Sequence, residues 1–397
     1  MTPAKSEDVK PRMSAALARC RNIEDLRHLA SRRVPKPMFD YLDGAAEDEV
    51  TLRRNTSAFE DVALVPRYAV AVENPDLRTR VLGADLDWPV LLAPTGMSRL
   101  FHHRGEWAVA AAAQRSGTLY SLSTLSSVSI EGVAEVNGSA KMFQVYLLKD
   151  PGLNQDLMAR AKAAGFDALC LTVDVPVQGN RERDLHSGMT LPPTFGPAQW
   201  FQFARCPAWV WNHLMSSKMT LANIEGQIDQ GSQDVTSLAK FIHEQFDTRI
   251  TWERVEHLAK SWDGPFAIKG LLAPDDARRA VDAGASAIIV SNHGGRQLDG
   301  AVAPFDVLES MVDAVGDRAE IILDGGVRRG SHVIKALAMG AKACMVGRPY
   351  LFGLGAGGEA GVDRALEILR QETQRALQLS GCRRPRDLDR SYLQRLG

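Results

Sequence analysis

The chain has 397 residues, of which 45 % are hydrophobic and 24 % charged, and its formal net charge at pH 7 is −1. This balance is typical of a soluble globular protein with enough apolar residues for a large core. Lysine and arginine are scattered along the sequence, so we expect no basic surface for nucleic acid.

The predicted elements form a repeating pattern. Residues 1–85 come first and are expected to form helices and a loop packed against the main domain. Alanine-rich amphipathic stretches at 105–117, 153–165 and 273–285 predict helices, and residues 358–381 predict a last outer helix. Between and around them lie eight short apolar segments that predict β-strands, namely 89–96, 118–124, 141–148, 168–175, 265–272, 286–295, 320–327 and 342–349.

Apolar strands that alternate with helices predict a parallel sheet covered by helices, in the α/β class. Eight strands can close into a (β/α)8 TIM barrel. A doubly wound open sheet would need a G-x-G-x-x-G turn after an early strand, and the sequence has none there. We therefore predict a single domain over 1–397, with an N-terminal extension (1–85), a barrel (86–381) and a long insertion (176–262) after the fourth strand.

Cysteine usage and apolar patterning bear on location. The five cysteines are far apart, and no two of them have the spacing of zinc ligands. We predict reduced thiols, no bound metal and a cytoplasmic protein. No apolar run is as long as a membrane span, and residues 1–20 lack the apolar core of a signal peptide.

Polar residues appear where the predicted strands end. Barrel enzymes build their active sites from the C-terminal ends of the strands. Three pairs of polar residues are spaced two apart at strand ends: Gln144 with Tyr146, Thr172 with Asp174, and Ser291 with His293. Residues two apart on a strand share a face, so both members of each pair can point into the barrel mouth.

Glycine-rich turns follow the last two strands, in "DGGVRRG" (324–330) and "GRP" (347–349). Glycines allow backbone N–H groups to approach an anion, and Arg328 or Arg348 can add charge. The turns favour a phosphorylated cofactor or substrate. Lys269 ends another apolar strand and has two interpretations: an imine-forming lysine of a barrel lyase, or a fixed positive charge beside an electron-rich ring.

Several motifs together carry a family resemblance. They are "RRVPKPMFDYLDGAAEDEVTLRRN" (32–55), "LTVDVPVQGNRERD", "SNHGGRQLD", "LDGGVRRG", "GRP" and "LSGC" (379–382). With these motifs the chain resembles the FMN-dependent 2-hydroxy-acid dehydrogenases and oxidases over nearly its whole length. The resemblance implies an FMN cofactor and oxidation of a 2-hydroxy acid to a 2-oxo acid. It disfavours the imine-forming interpretation of Lys269.

The resemblance also implies roles for single residues. His293 is the expected catalytic base and Asp174 the carboxylate that orients it. Arg181 and Arg296 are expected to hold the substrate carboxylate, with Tyr41 and Tyr146 hydrogen-bonded to the substrate. The residues expected to bind FMN are Pro94, Thr95, Gly96, Ser123, Gln144, Thr172, Lys269, Ser291, Asp324, Gly325, Gly326, Arg328, Gly347 and Arg348.

Within the family, the chain is more similar to lactate and mandelate dehydrogenases than to glycolate oxidase. Glycolate oxidase-like members carry alanine where this chain has Gly96 and tryptophan where it has Leu125. We predict a lactate- or mandelate-type L-2-hydroxy acid as substrate and a quinone or other carrier as electron acceptor. The alternative is an oxidase that reduces oxygen to hydrogen peroxide. The resemblance further suggests a homotetramer.

The insertion holds three of the seven tryptophans between residues 198 and 215, close to Arg205 and His213. Tryptophan beside basic groups is typical of an interfacial membrane segment. One hypothesis is peripheral contact with the inner face of the plasma membrane through residues 195–220. The other is a lid that packs its aromatic side chains on the barrel or on a neighbouring subunit.

Overall fold

The computed structural model describes residues 11–189, 194–224, 247 and 249–396. Its N-terminal part contains four short helices, α1 (Ala15–Arg19), α2 (Ile23–Arg33), α3 (Lys36–Asp43) and α4 (Val50–Ser57). A 3-10 turn, Ala58–Asp61, leads to strand β1 (Val62–Leu64). Strands β2 (Thr79–Val81) and β3 (Ala84–Leu86) then form an antiparallel hairpin, which the sequence pattern did not indicate.

Eight parallel strands follow and close into a barrel in sequence order, which confirms the predicted (β/α)8 fold. Each of them lies within one of the predicted apolar segments. They are β4 (Val90–Thr95), β5 (Tyr120–Ser123), β6 (Lys141–Val145), β7 (Ala168–Thr172), β8 (Phe266–Leu271), β9 (Ala287–Ser291), β10 (Glu320–Asp324) and β11 (Ala343–Val346).

Helices cover the outside of the barrel or belong to the insertion between β7 and β8. The last helix, Arg348–Ser380, includes most of the predicted segment 358–381 and has a break at Gly357–Gly358. A final strand, β12 (Leu393–Arg395), pairs with β1. The helices after α4 are α5 (Gly105–Arg115), α6 (Ile130–Ala134), α7 (Pro151–Ala163), α8 (Glu182–Ser187), α9 (Pro197–Ala204), α10 (Pro207–Leu214), α11 (Trp252–Trp262), α12 (Pro274–Asp282), α13 (Pro304–Val315), α14 (Gly330–Met339) and α15 (Arg348–Ser380).

Strand residues alternate between two cores. On β9, Ile289 belongs to the core inside the barrel, whereas Ile288 and Val290 pack against the surrounding helices. The β2–β3 hairpin adds Val81 and Leu86 to the inner core. Continuing the alternation by two residues places a polar layer above this core, made of Gln144, Thr172, Lys269, Ser291 and Asp324.

Among the described residues, no helix is both long enough and apolar enough to span a lipid bilayer.

Candidate active site

A buried lysine in the polar layer contacts two other members of that layer. Lys269 Nζ lies 2.8 Å from Asp324 Oδ2 and donates to Ser291 Oγ at 3.0 Å. Ser291 Oγ in turn donates to Asp324 at 2.7 Å. Burial opposes the charge on Lys269, but the Asp324 carboxylate outweighs it and raises the pKa of the lysine. A lysine that stays protonated is poorly suited to imine formation, so the fixed-charge interpretation is the one its surroundings support.

His293 lies just beyond β9, in a 3-10 turn, and its backbone φ is +58°. Its Nδ1 lies 2.9 Å from Asp174 Oδ1, and its backbone N–H donates to Ser291 Oγ at 3.0 Å. Because a carboxylate accepts the hydrogen on Nδ1, the lone pair is on Nε2. Burial lowers the pKa of His293 despite the attraction of Asp174, so the imidazole is neutral at pH 7.

Asp174 reaches this histidine across an intervening strand. It follows β7, whereas His293 follows β9, and Gly270 of β8 lies between them. A Cβ atom at Gly270 would lie 2.6 Å from both Cβ and Cγ of Asp174, and its φ is +108°. Glycine is therefore required here for the carboxylate to pass over β8.

Two arginines that form no ion pair with a described carboxylate line the same cavity as the histidine. Arg296 donates to the carbonyl oxygens of Tyr41 and Gly44 at 2.7 and 2.9 Å, and its guanidinium lies 4.8 Å from the centroid of the Tyr41 ring. Arg181 approaches the carbonyl of Arg296 at 3.4 Å. Burial, then the charge of Arg181, lowers the pKa of Arg296 to about 9. Among the described residues neither arginine forms an ion pair, so the cavity has positive charge available for an anion.

A second pair of arginines lies beside the glycine-rich turns. Arg328 donates to its neighbour's carbonyl, and Arg348 donates to those of Leu42, Gly44 and Gly294. Burial lowers the pKa of both guanidinium groups to about 10. Arg348 is also the first residue of α15, and the first N–H groups of a helix lack partners within it. These features are those of a phosphate site.

The glycines of this site permit close backbone packing. A Cβ atom at Gly326, whose φ is +73°, would lie 1.8 Å from the carbonyl oxygen of Asn55. Asn55 is itself held by a reciprocal pair of amide hydrogen bonds with Asn292, at 2.7 and 2.8 Å. The turn after β10 and the loop after β9 are thus fixed to the same N-terminal residue. Sequence reasoning did not identify this asparagine pair.

One cavity connects these groups. Of the predicted site residues, it is lined by Tyr41, Pro94, Thr95, Gly96, Ser123, Tyr146, Arg181, Lys269, His293, Arg296, Asp324, Gly325, Gly326, Arg328, Gly347 and Arg348. The remaining four, Gln144, Thr172, Asp174 and Ser291, support the lining from behind. Gln144, for example, accepts a hydrogen bond from Ser123 Oγ at 3.1 Å.

The cavity also has an apolar wall that sequence reasoning did not predict. It consists of Met97, Phe101, Leu125, Val175 and Leu221. Leu125 faces Gly96, where an added Cβ atom would lie 3.0 Å from Leu125 Cβ. The two positions that distinguish this chain from glycolate oxidase-like sequences are therefore in direct contact.

The fold is a (β/α)8 barrel, and its cavity has one pair of arginines suited to a phosphate and another, beside a neutral histidine, suited to a small carboxylate. The sequence matches the FMN-dependent dehydrogenase family over residues 30–395. The chain belongs to this family, and it is accordingly an FMN-dependent oxidoreductase of the 2-hydroxy acid dehydrogenase and oxidase type. The predicted family, cofactor and reaction class are confirmed.

Named relatives cover nearly the whole chain. An L-lactate oxidase from Nostoc sp. is 43 % identical over 376 residues, which are 94 % of this chain and 97 % of the relative. An L-lactate dehydrogenase from Caulobacter vibrioides is 40 % identical over 360 residues, 90 % and 94 % of the two chains. The crystal structure of (S)-mandelate dehydrogenase, described as a monotopic membrane protein, has a TM-score of 0.91 and 36 % identity and covers 95 % of this chain and 100 % of its own.

The cavity fits FMN by its donor set. Arg328 and Arg348, which form no ion pair with a described carboxylate, lie beside glycine turns and suit the phosphate, and the strip from Pro94 to Gly96 lines the cavity where a flat ring could lie. Lys269 places a protonated amine in the same cavity.

Proposed function

We propose that this protein oxidises the L enantiomer of a lactate- or mandelate-type 2-hydroxy acid, with His293 as the base. One observation carries the proposal. A neutral histidine paired with a buried aspartate shares a cavity with two arginines that form no ion pair with a described carboxylate. Such a set can hold a carboxylate and accept a proton from the atom next to it.

The arginines would bind the substrate first. The guanidinium groups of Arg181 and Arg296 match the planar geometry of a carboxylate, and a bound anion relieves the repulsion between them. Tyr41 and Tyr146 line the same space and can donate their hydroxyl hydrogens to the substrate. This binding fixes the C2 carbon and its hydroxyl group near His293.

His293 would then take a proton at Nε2. Asp174 holds the hydrogen on Nδ1, keeps the ring in its orientation and stabilises the imidazolium once it forms. When bound, FMN accepts the two electrons removed from the substrate. Lys269, kept protonated by Asp324, would stabilise the negative charge that the reduced cofactor gains.

The test is anaerobic reduction of the flavin. We expect the visible absorbance of the purified holoprotein to bleach with L-lactate or L-mandelate. His293→Ala is expected to keep FMN and to reduce it about 10⁴-fold more slowly, because a general base contributes up to that factor. Near-normal reduction in this variant would remove His293 from the mechanism. Absence of bleaching with every 2-hydroxy acid would refute the proposed function.

We further propose that the protein attaches to a membrane and passes its electrons to a quinone. Helices α9 and α10 divide their aromatic side chains between two faces. Phe203 and Trp209 pack inward, and Trp209 Nε1 donates to Leu100 O at 3.1 Å. The side chains that remain exposed are Trp200, Phe201, Trp211, Leu214 and Met215, each between 62 % and 75 %. This aromatic face, together with the membrane-bound (S)-mandelate dehydrogenase, supports attachment to the cytoplasmic face of a membrane and electron transfer to a quinone.

Vesicle flotation would test the attachment. We expect the holoprotein to float with vesicles of phosphatidylethanolamine and phosphatidylglycerol. The triple variant Trp200→Ser, Trp211→Ser and Leu214→Ser is expected to remain in solution. Leu379→Ser is the matched control, since Leu379 is 71 % exposed on α15. Equal flotation of the triple variant would exclude the aromatic face as the contact.

Oxygen is the competing acceptor, favoured by the 43 % identity to an L-lactate oxidase. Reoxidation of the reduced protein in air and with a soluble quinone distinguishes the two acceptors, and we expect the quinone to react faster.

We also propose that the protein is a homotetramer. Light scattering of the purified protein should then give about four times the mass of one chain.

A further inference from the structure

We propose that Leu221 limits the size of the substrate side chain and that the insertion sets specificity through this residue. The inference rests on the proposed function and extends it to a substrate class: 2-hydroxy acids with an apolar side chain. Leu221 is 2 % exposed and lines the central cavity. Among the described residues from 194 to 262, it alone reaches that cavity.

The segment that carries Leu221 is held on both sides. Before it, the buried Arg99 donates to the backbone carbonyls of Ser217 and Lys218. After it, Asn223 donates to Ser126 Oγ and accepts from the backbone N–H of Ile130, both at 2.9 Å. These bonds fix the backbone on either side of Leu221, so its side chain is positioned rather than free to turn away.

The same bonds place Leu221 against the apolar wall. Arg99 belongs to the loop after β4, which also carries Met97 and Phe101. Ser126 directly follows Leu125, whose carbonyl accepts a hydrogen bond from Met97 N at 2.9 Å. Both anchors of the segment are therefore attached to the loops that supply Met97, Phe101 and Leu125 to the wall.

Apart from Val175, which follows Asp174 after β7, the barrel-derived part of the wall lies across the barrel mouth from the arginine and histidine that follow β9. In a closed eight-stranded barrel, the loops after β4 and β5 face those after β8 and β9. Tyr41 lies between the two sides, with its ring 4.8 Å from the Arg296 guanidinium and 6.4 Å from the ring of Phe101. C2 of a 2-hydroxy acid carries a carboxylate, a hydroxyl group, a hydrogen and a side chain. With the carboxylate on the arginines, and the hydroxyl group and the hydrogen directed to the groups that remove them, the side chain is left to point toward this wall.

The chemistry of the wall selects the substrate class. Met97, Phe101, Leu125, Val175 and Leu221 offer no hydrogen-bond partner to a polar side chain. A substrate without a side chain, such as glycolate, would leave the wall uncovered. In an apolar pocket, one methylene group changes kcat/KM by about 10-fold or more, so one leucine can decide which acids fit.

The experiment compares two opposite changes at one position. L-Lactate, L-2-hydroxybutyrate, L-2-hydroxyisocaproate and L-3-phenyllactate are offered to the holoprotein, and kcat/KM is measured for each. Leu221→Ala is expected to raise the ratio for phenyllactate over lactate by about 10-fold, and Leu221→Phe to lower it by a similar factor. Leu185→Ala is the control, because Leu185 is 56 % exposed and does not line the cavity.

A binding measurement supports the kinetic one. Oxalate has carboxylates but no side chain, so its dissociation constant, followed by perturbation of the flavin spectrum, should be unchanged in both Leu221 variants. Phenylpyruvate should bind more tightly to Leu221→Ala and more weakly to Leu221→Phe. Equal changes for oxalate and phenylpyruvate would show that Leu221 has only a structural role and would overturn the inference.

Asn223 is a positioning residue in this scheme. Asn223→Ala should raise the phenyllactate-to-lactate ratio less than Leu221→Ala does, and should add nothing when combined with it. Additive effects would contradict action through Leu221. If wild-type protein reduces its flavin with these acids but the Leu221 ratio does not move, this inference alone fails. If no acid reduces the flavin of any variant, the proposed function fails and this inference with it.

Discussion

Two cations in the cavity, Lys269 and Arg296, differ in how the protein treats their charge. Lys269 has a carboxylate partner at 2.8 Å, and its pKa is raised. Arg296 has backbone carbonyls and an aromatic ring as neighbours, and its pKa is lowered to about 9. The first is a permanent part of the barrel interior. The second has no ion-pair partner among the described residues and is influenced by the Asp184 carboxylate only through space, which leaves its N–H groups available to an external anion.

Replacement of Arg296, the cation without an ion-pair partner among the described residues, should damage function most. Arg296→Met is expected to lower kcat/KM about 10³- to 10⁴-fold, because a buried charged hydrogen bond to the substrate carboxylate is lost. The melting temperature should fall much less than it does when Lys269 is replaced, since Arg296 forms no ion pair with a described carboxylate and acts on the buried Asp184 only through space. Steady-state kinetics and thermal unfolding with saturating FMN measure the two effects. Arg296→Lys, which keeps the charge without the planar fork, should recover only part of the activity.

Replacement of Lys269, the cation paired with Asp324, should damage stability instead. Lys269→Met leaves Asp324 buried without its cation, which is expected to lower the free energy of unfolding by about 3 kcal/mol. Thermal unfolding with saturating FMN measures the loss, and Lys269→Met with Asp324→Asn should recover part of it. If Lys269→Met were stable and Arg296→Met unstable, the predicted difference between the two cations would be wrong.

The pH dependence should be the mildest effect. Burial lowers the pKa of His293 from 6.5, and the base acts only when neutral. The kcat/KM for flavin reduction should therefore be level above pH 6.5 and fall at lower pH, by about tenfold per unit once the imidazole is protonated. Asp174→Asn removes the attraction that raises this pKa, so its profile should break at lower pH with a smaller maximal rate. A wild-type break above pH 6.5 would contradict a neutral buried histidine.

The sequence could predict those parts of the molecule in which apolar and polar residues repeat at the spacing of a strand or a helix. Alternation along each strand identifies the inner polar layer, so the strand pattern alone is enough to place Lys269, Ser291 and Asp324 together. Tyr41 could be assigned only through the family motif, because it lies in the N-terminal extension, far from the strands. Family motifs also suggested the pairing of Asp174 with His293, but the need for glycine at position 270 emerged only from the packing.

The apolar wall could not be predicted in this way. Phe101, Leu125 and Leu221 are ordinary core residue types, and nothing in their local pattern separates a cavity wall from a packed core. Leu221 also comes from an insertion whose path is set by side chain-to-backbone bonds from Arg99 and Asn223. Such bonds join residues about 90 to 120 positions apart in the chain, and no sequence periodicity marks them.

The C-terminal end of α3, whose C-cap is Gly44, contacts both ends of the cavity. The carbonyl oxygen of Gly44 accepts from Arg296 at 2.9 Å, on the side of the histidine, and from Arg348 at 2.7 Å, on the side of the glycine turns. An anion that draws either arginine changes the position of the shared oxygen for the other. We therefore expect binding at the two ends to be thermodynamically linked, and such a linkage is reciprocal. The holoprotein would bind a small carboxylate with a different affinity from the apoprotein, and the carboxylate would shift the affinity for the cofactor by the same factor.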